Sequence, residues 1–173
     1  MSGVGTKRAI IGGVRLLFVC MGNICRSPTA EAVMRALVAR EGLDGTVEID
    51  SAGTGAWHIG DPPDHRSTAA ARARGIVMEG AARQVTEADF EAYDLLLAAD
   101  AQNVAALRAV APDEAAAAKV RLLREFDPAA AAAHDLEVPD PYYGGADGFD
   151  DVLDMVDAAC RGLLEQLRAE GRV

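Results

Sequence analysis

The chain is short of the features that mark several functional classes. Its 173 residues include only three cysteines and three histidines. A small, odd cysteine count excludes a disulfide-stapled scaffold and points to a reducing compartment. His58, His65 and His134 share no ligand spacing, which argues against a metal site. Basic residues are also few, 17 against 27 acidic ones for a formal net charge of −10, and this excludes nucleic acid or an anionic membrane as the main partner. Long apolar runs are missing near the N-terminus, where the patch at residues 9–11 is too brief for a secretory leader or a membrane span. Residues 1–13 therefore read as a flexible extension and 14–173 as one domain. That domain is expected to be cytoplasmic, a monomer or weak dimer, with secretion without a leader as the other option.

What the chain does have is concentrated at residues 20–27, which run Cys20-Met21-Gly22-Asn23-Ile24-Cys25-Arg26-Ser27 and then Pro28. An apolar strand precedes this stretch and a helix start follows it. Backbone N–H groups in such a loop lack ladder partners and converge on one anion. Cys20 supplies a nucleophile whose anionic sulfur is favoured by a helix N-terminus and a guanidinium. Arg26 presents a planar fork that matches two phosphoryl oxygens. Ser27 suits two jobs, helix N-cap and hydroxyl donor to the Cys20 sulfur. Gly22 and Asn23 are types that tolerate positive φ, as a tight cradle needs.

Apolar runs at 16–20, 47–49, 95–98 and 120–123 alternate with helical patterns. This predicts a doubly wound α/β domain with four parallel strands, helices on both faces and a phosphate-binding loop after the first strand. Ligands of such sheets bind beyond the carboxyl ends of the strands, where Cys20 is delivered. Further helix starts are read at Asp64, at Thr86-x-x-Asp89 and at Asp100. A last amphipathic helix is read over 149–169, with Cys160 on its apolar face. Its acidic start reads as a solvated face that complements the helix dipole. The alanine runs 115–118 and 129–133 read as short helices or connectors.

The stretch from Leu17 to Glu31 resembles the low-molecular-weight protein tyrosine phosphatases. So do Asp50-Ser51-Ala52-Gly53-Thr54, Trp57-x-x-Gly60-x-Pro62-Pro63-Asp64, Ala82-Arg83-Gln84, Asp89-Phe90 and Asp140-Pro141-Tyr142-Tyr143-Gly144, in the family's order. The resemblance implies hydrolysis of phosphotyrosine in proteins through a phosphocysteine, without metal or cofactor and with inorganic phosphate as product. It makes Cys20 the nucleophile, Arg26 the phosphate clamp and Asp140 the general acid and base. Met21, Gly22, Asn23, Ile24, Cys25 and Ser27 then form the loop, and Ser51 helps Asn23 to brace it. Trp57, Tyr142 and Tyr143 wall the substrate slot, and Cys25 becomes a redox partner of Cys20. Asp100 resembles an aspartate that orients the loop arginine, with an ordinary N-cap as the other option. Gly80 departs from the histidine that many relatives carry before Ala-Arg-Gln, which puts the bracing of Asn23 in question.

Three rival readings compete with this one. Thiol-coupled arsenate reduction needs a relay pair of cysteines downstream, and only Cys160 follows Cys25. Phosphoarginine phosphatases resemble this family but carry threonine where this chain has Ile24. A silent phosphate-binding module would need neither the thiol of Cys20 nor the carboxyl of Asp140.

Overall fold

The computed structural model describes residues 13–145 and 147–173. The proposed extension at 1–13 therefore lies, except for Gly13, outside the described residues. The elements run β1 Val14–Cys20, α1 Arg26–Arg40, β2 Val47–Gly53, α2 His65–Ala73, α3 Asp89–Ala92, β3 Leu95–Ala98, α4 Ala101–Val110, α5 Glu114–Ala117, β4 Val120–Leu122, a 3₁₀ turn at Leu123–Phe126, α6 Pro128–Ala132 and α7 Asp147–Ala169. The strands form one parallel sheet in the order β2-β1-β3-β4. The expected α/β class and its four strands are borne out.

β1 sits inside the sheet, and its pleat divides the core. Leu16, Phe18 and Cys20 point to one face, where they pack with Val33, Met34 and Leu37 of α1 and Val156, Cys160 and Leu163 of α7. Leu17 and Val19 point to the other, against Phe90, Tyr93, Leu107 and Val120. Burial on both faces explains why the strand reads as a continuous apolar run. Cys160 is a core residue with no exposed surface.

β2 continues to Gly53, four residues past the expected end, pairing as far as Cys20↔Gly53. Polar Asp50 and Ser51 conceal this extension in the sequence, and Ser51 is nonetheless buried. The chain passes from β1 to β2 on one side and returns to β3 on the other. The crevice between the carboxyl ends of β1 and β3 is the switch point where ligands of such sheets bind. Cys20 ends β1 and Asp100 closely follows β3.

Candidate active site

Residues 21–25 turn the chain from β1 into α1. Asn23 makes the turn with φ at 56°, a left-handed value that asparagine tolerates. Gly22 is not among the positive-φ residues, so the expectation for it fails. A Cβ there would lie 3.1 Å from Cδ2 of His58, so the imidazole would have to give by a few tenths of an ångström. The turn also lies close against the end of β2. Thr54 N donates to Cys20 O and Gly55 N to Met21 O, each at 2.9 Å. A Cβ on Gly53 would come within 2.7 Å of Met21 O, so glycine is needed there for the loop to approach.

Helix α1 begins at Arg26, and its N-cap is Cys25, with no side-chain cap. The reading of Ser27 as N-cap is thus corrected: Ser27 is the second helical residue and its hydroxyl faces the sulfur. Ser27 Oγ lies 3.0 Å from Cys20 Sγ and 3.4 Å from Ala52 O, so its single proton has two acceptors within reach. Pro28 falls one residue later in the first turn, where a missing N–H still breaks no intrahelical bond.

Asn23 braces the loop through all its amide functions. Nδ2 donates to Ser27 Oγ at 2.9 Å and to Ser51 Oγ at 3.0 Å, while Oδ1 accepts from Arg83 N at 3.0 Å. Ser51 Oγ in turn donates to Glu31 Oε1 at 2.7 Å. The Arg83 guanidinium is fixed by two bonds to Asp89, each at 3.0 Å. The Gly80 departure therefore leaves Asn23 fully partnered.

Arg26 is buried beneath the loop. Nη1 donates to Asp100 Oδ2 at 2.6 Å and to Val138 O at 2.9 Å, and Nη2 lies 3.8 Å from Asp140 Oδ2. Burial alone would lower its pKa. The Cys20 sulfur, the Asp100 hydrogen bond and the charges of Asp100 and Asp140 outweigh that and raise it above the ordinary value. Asp100 also accepts from Asn103 N at 2.8 Å through Oδ1, so both readings of this residue hold together.

Above the loop opens a cleft of about 420 Å³, lined by Cys20, Met21, Gly22, Ile24, Cys25, Arg26, Trp57, His58, Asp140, Tyr142 and Tyr143. Cys20 is 3% exposed at its floor, whereas Trp57 and Tyr143 are 74% and 92% exposed at its mouth. A ring can thus be enclosed by side chains that are open to solvent in the free protein. A Cβ on Gly55 would strike the Trp57 ring at 1.8 Å, so glycine at 55 sets where that wall stands. On the opposite wall Arg66 lies over the Tyr142 ring, 5.2 Å from its centroid, and donates to Tyr142 O at 3.1 Å. Tyr142 N donates to Asp140 Oδ1 at 3.0 Å.

Cys25 lines the same cleft, and all three cysteines are free. Burial, aided by the charges of Asp64, Cys20 and Asp140 and opposed by a hydrogen bond to Ser67, pushes the Cys25 thiol up to about 12. Burial also pushes the Cys160 thiol up. Among the described residues, no group of three or more His, Cys, Asp or Glu is arranged to hold a metal ion.

The model of the family "Low molecular weight phosphotyrosine protein phosphatase" matches residues 15–173. The chain belongs to that family. A low molecular weight protein-tyrosine-phosphatase of Streptomyces coelicolor is 55% identical over 160 residues, which cover 91% of this chain and 97% of the relative. A protein tyrosine phosphatase structure from Entamoeba histolytica superposes with a TM-score of 0.86 at 38% identity, covering 93% of this chain and all of that one. A Drosophila arginine phosphatase superposes with a TM-score of 0.80 at 29% identity, covering 87% of this chain and 96% of that one.

Cys20, Arg26, Asp140, Trp57, Tyr142 and Tyr143 all line this one cleft, and Asn23, Ser27 and Ser51 lie in the hydrogen-bond network around the loop. The geometry adds four that sequence reasoning left unassigned: His58 in the cleft wall, Arg66 behind Tyr142, and Glu31 and Arg83 behind Asn23. His58 adjoins Trp57, and Glu31 and Arg83 lie inside family-like segments, so proximity in sequence was an available signal. For Arg66, whose partner is 76 residues away, there was none.

Proposed function

We propose that the protein hydrolyses phosphotyrosine in proteins through a covalent phosphocysteine. The supporting observation is the alignment of four groups at one crevice: the Cys20 sulfur on its floor, Arg26 beneath it, Ser27 Oγ at 3.0 Å from the sulfur, and the Asp140 carboxylate within 3.8 Å of the arginine.

In the first step the Cys20 thiolate attacks phosphorus in line with the tyrosyl oxygen. The S–P bond forms as the P–O bond breaks, Arg26 and the loop amides carry the phosphoryl charge, and Asp140 gives its proton to the departing phenoxide. In the second step the Asp140 carboxylate takes a proton from water, whose oxygen attacks phosphorus. The sulfur leaves as a thiolate stabilised by the Ser27 hydroxyl, and inorganic phosphate is released. Apart from the attacking water, every group in the scheme is a side chain or a backbone amide of this chain, so the scheme calls on neither metal nor cofactor.

The substrate class follows from the walls. A phosphate that must reach Cys20 between Trp57 and Tyr142 suits an aryl ester, whose ring spans the depth of the cleft. Ile24, itself a lining residue, adds apolar surface where phosphoarginine phosphatases carry threonine. A reducing, cytoplasmic setting is consistent with the three free cysteines. The reading also takes residues 14–173 as the catalytic domain, acting as a monomer or weak dimer.

The test is hydrolysis of para-nitrophenyl phosphate and of phosphotyrosine, phosphoserine and phosphoarginine peptides, in EDTA and reductant, by wild type and Cys20→Ser. Turnover of the aryl esters alone, abolished in the variant, supports the reading. An inactive wild type, a preference for phosphoarginine or an active Cys20→Ser overturns it.

A further inference from the structure

Asp140 lies on a segment, residues 135–140, with no regular secondary structure. A carboxyl that transfers a proton to one oxygen needs placing to a fraction of an ångström, so the segment must be fixed from outside. Val138 N donates to Ala99 O at 2.8 Å, and Arg26 holds Val138 O. One residue earlier a second arginine does the same work. Arg124, from the 3₁₀ turn, donates through Nη1 to Glu137 O at 2.7 Å and lies 3.3 Å from Asp135 Oδ2.

Arg124 is costly where it stands. It is 8% exposed and its Nε has no hydrogen-bond partner. Its carboxylate partner Asp135 is 68% exposed in its side chain. A buried cation with incomplete compensation adds little net stability and often subtracts from it. What it contributes is a rigid, charged donor to the backbone carbonyl three residues before Asp140. It is not among the residues that line the cleft, so any effect on chemistry must pass through the segment.

We propose that Arg124 is a positioning residue for the general acid: by gripping Glu137 O it sets where the Asp140 carboxyl meets the leaving oxygen. The inference rests on the reading of Asp140 as the acid, and the experiment separates the two. The measured quantity is kcat/KM for phenyl phosphate, whose leaving group needs a proton, and for 2,4-dinitrophenyl phosphate, whose leaving group does not.

Arg124→Met is expected to lose about tenfold on phenyl phosphate and less than about twofold on the dinitrophenyl ester. In an Asp140→Asn background the same substitution is expected to cause no further loss on either ester, because residues that act as a unit are not additive. Equal losses on both esters, no loss on either, or full additivity with Asp140→Asn would overturn the proposal. If Asp140→Asn alone fails to discriminate between the esters, the assignment of the acid is what fails. Should Arg124→Met not fold, Arg124→Leu, which likewise removes every N–H donor to Glu137 O, is run through the same comparison against the same outcomes.

Discussion

Asp100 divides its carboxylate between two partners, accepting from Asn103 N at 2.8 Å to cap α4 and from the Arg26 guanidinium at 2.6 Å. The two contacts are separable. Asp100→Asn keeps a good N-cap but loses the charged acceptor, so kcat/KM for an aryl phosphate is expected to fall about tenfold with stability nearly unchanged. Asp100→Ala should match that kinetic loss and also cost about 1 kcal/mol in chemical denaturation. A kinetic effect confined to the alanine variant contradicts this division.

The three thiols are expected to differ sharply in reactivity. Burial and surrounding negative charge push Cys25 up to about 12, and burial raises Cys160 as well, so both remain neutral thiols at pH 7. Iodoacetate near neutral pH should therefore label Cys20 alone, with loss of activity, and inorganic phosphate should protect it. Peptide mapping checks this, and labelling of Cys25 at a comparable rate is the contrary result.

Asp64 caps α2 by accepting from Arg66 N and Ser67 N, and it also pairs with the Arg66 guanidinium at 2.9 Å. Burial would raise its pKa, but the hydrogen bonds from Arg66 and Ser67 and the charge of Arg66 hold it below the ordinary 3.8. A depressed carboxyl stabilises the fold above its unfolded pKa, and that contribution is lost as pH falls through the lower folded value. Asp64→Ala is expected to cost about 1 kcal/mol at pH 7. Its deficit relative to wild type should shrink as the pH drops below 3.8 in denaturation curves. A constant deficit across that range contradicts the assignment.

Gly162 reverses the usual helix rule. In an exposed helix interior, glycine to alanine gains up to about 1 kcal/mol. Here a Cβ would stand 1.8 Å from Phe126 O, in the 3₁₀ turn that packs beneath α7. Gly162→Ala is therefore expected to destabilise by about 1–3 kcal/mol, as overpacking does, and a melting temperature equal to or above wild type would refute it.

Much of this architecture is legible in the sequence because it rests on local rules. The buried strands show as apolar runs, Asp64 and Asp100 as caps, and α7 as an apolar stripe that begins within two residues of its expected start. The misreadings share one cause: a contact with a group outside the residue's own element. Ser27 looks like an N-cap but faces the sulfur of Cys20, brought close by the loop. Gly22 looks like a positive-φ residue but is not one, and its nearest neighbour is the ring of His58. The apolar run of β2 stops at 49, but the strand continues to Gly53, and Ser51 is buried because Asn23 and Glu31 satisfy its hydroxyl. Arg124 and Arg66 carry no reading in the sequence, since nothing local announces the carbonyls of Glu137 and Tyr142.

The covalent intermediate is the claim on which the account turns. Ser27 Oγ, 3.0 Å from Cys20 Sγ, is placed to stabilise the departing thiolate, so Ser27→Ala is expected to slow breakdown of the phosphocysteine more than its formation. The most direct measurement is acid quenching of Ser27→Ala and wild type during turnover of an aryl phosphate, followed by mass mapping of the phosphorylated peptide. The account predicts a phosphoryl group on the Cys20 sulfur, accumulating to a higher level in Ser27→Ala than in wild type. A phosphoryl group on another residue, or none in either protein while phosphate is being released, would contradict it.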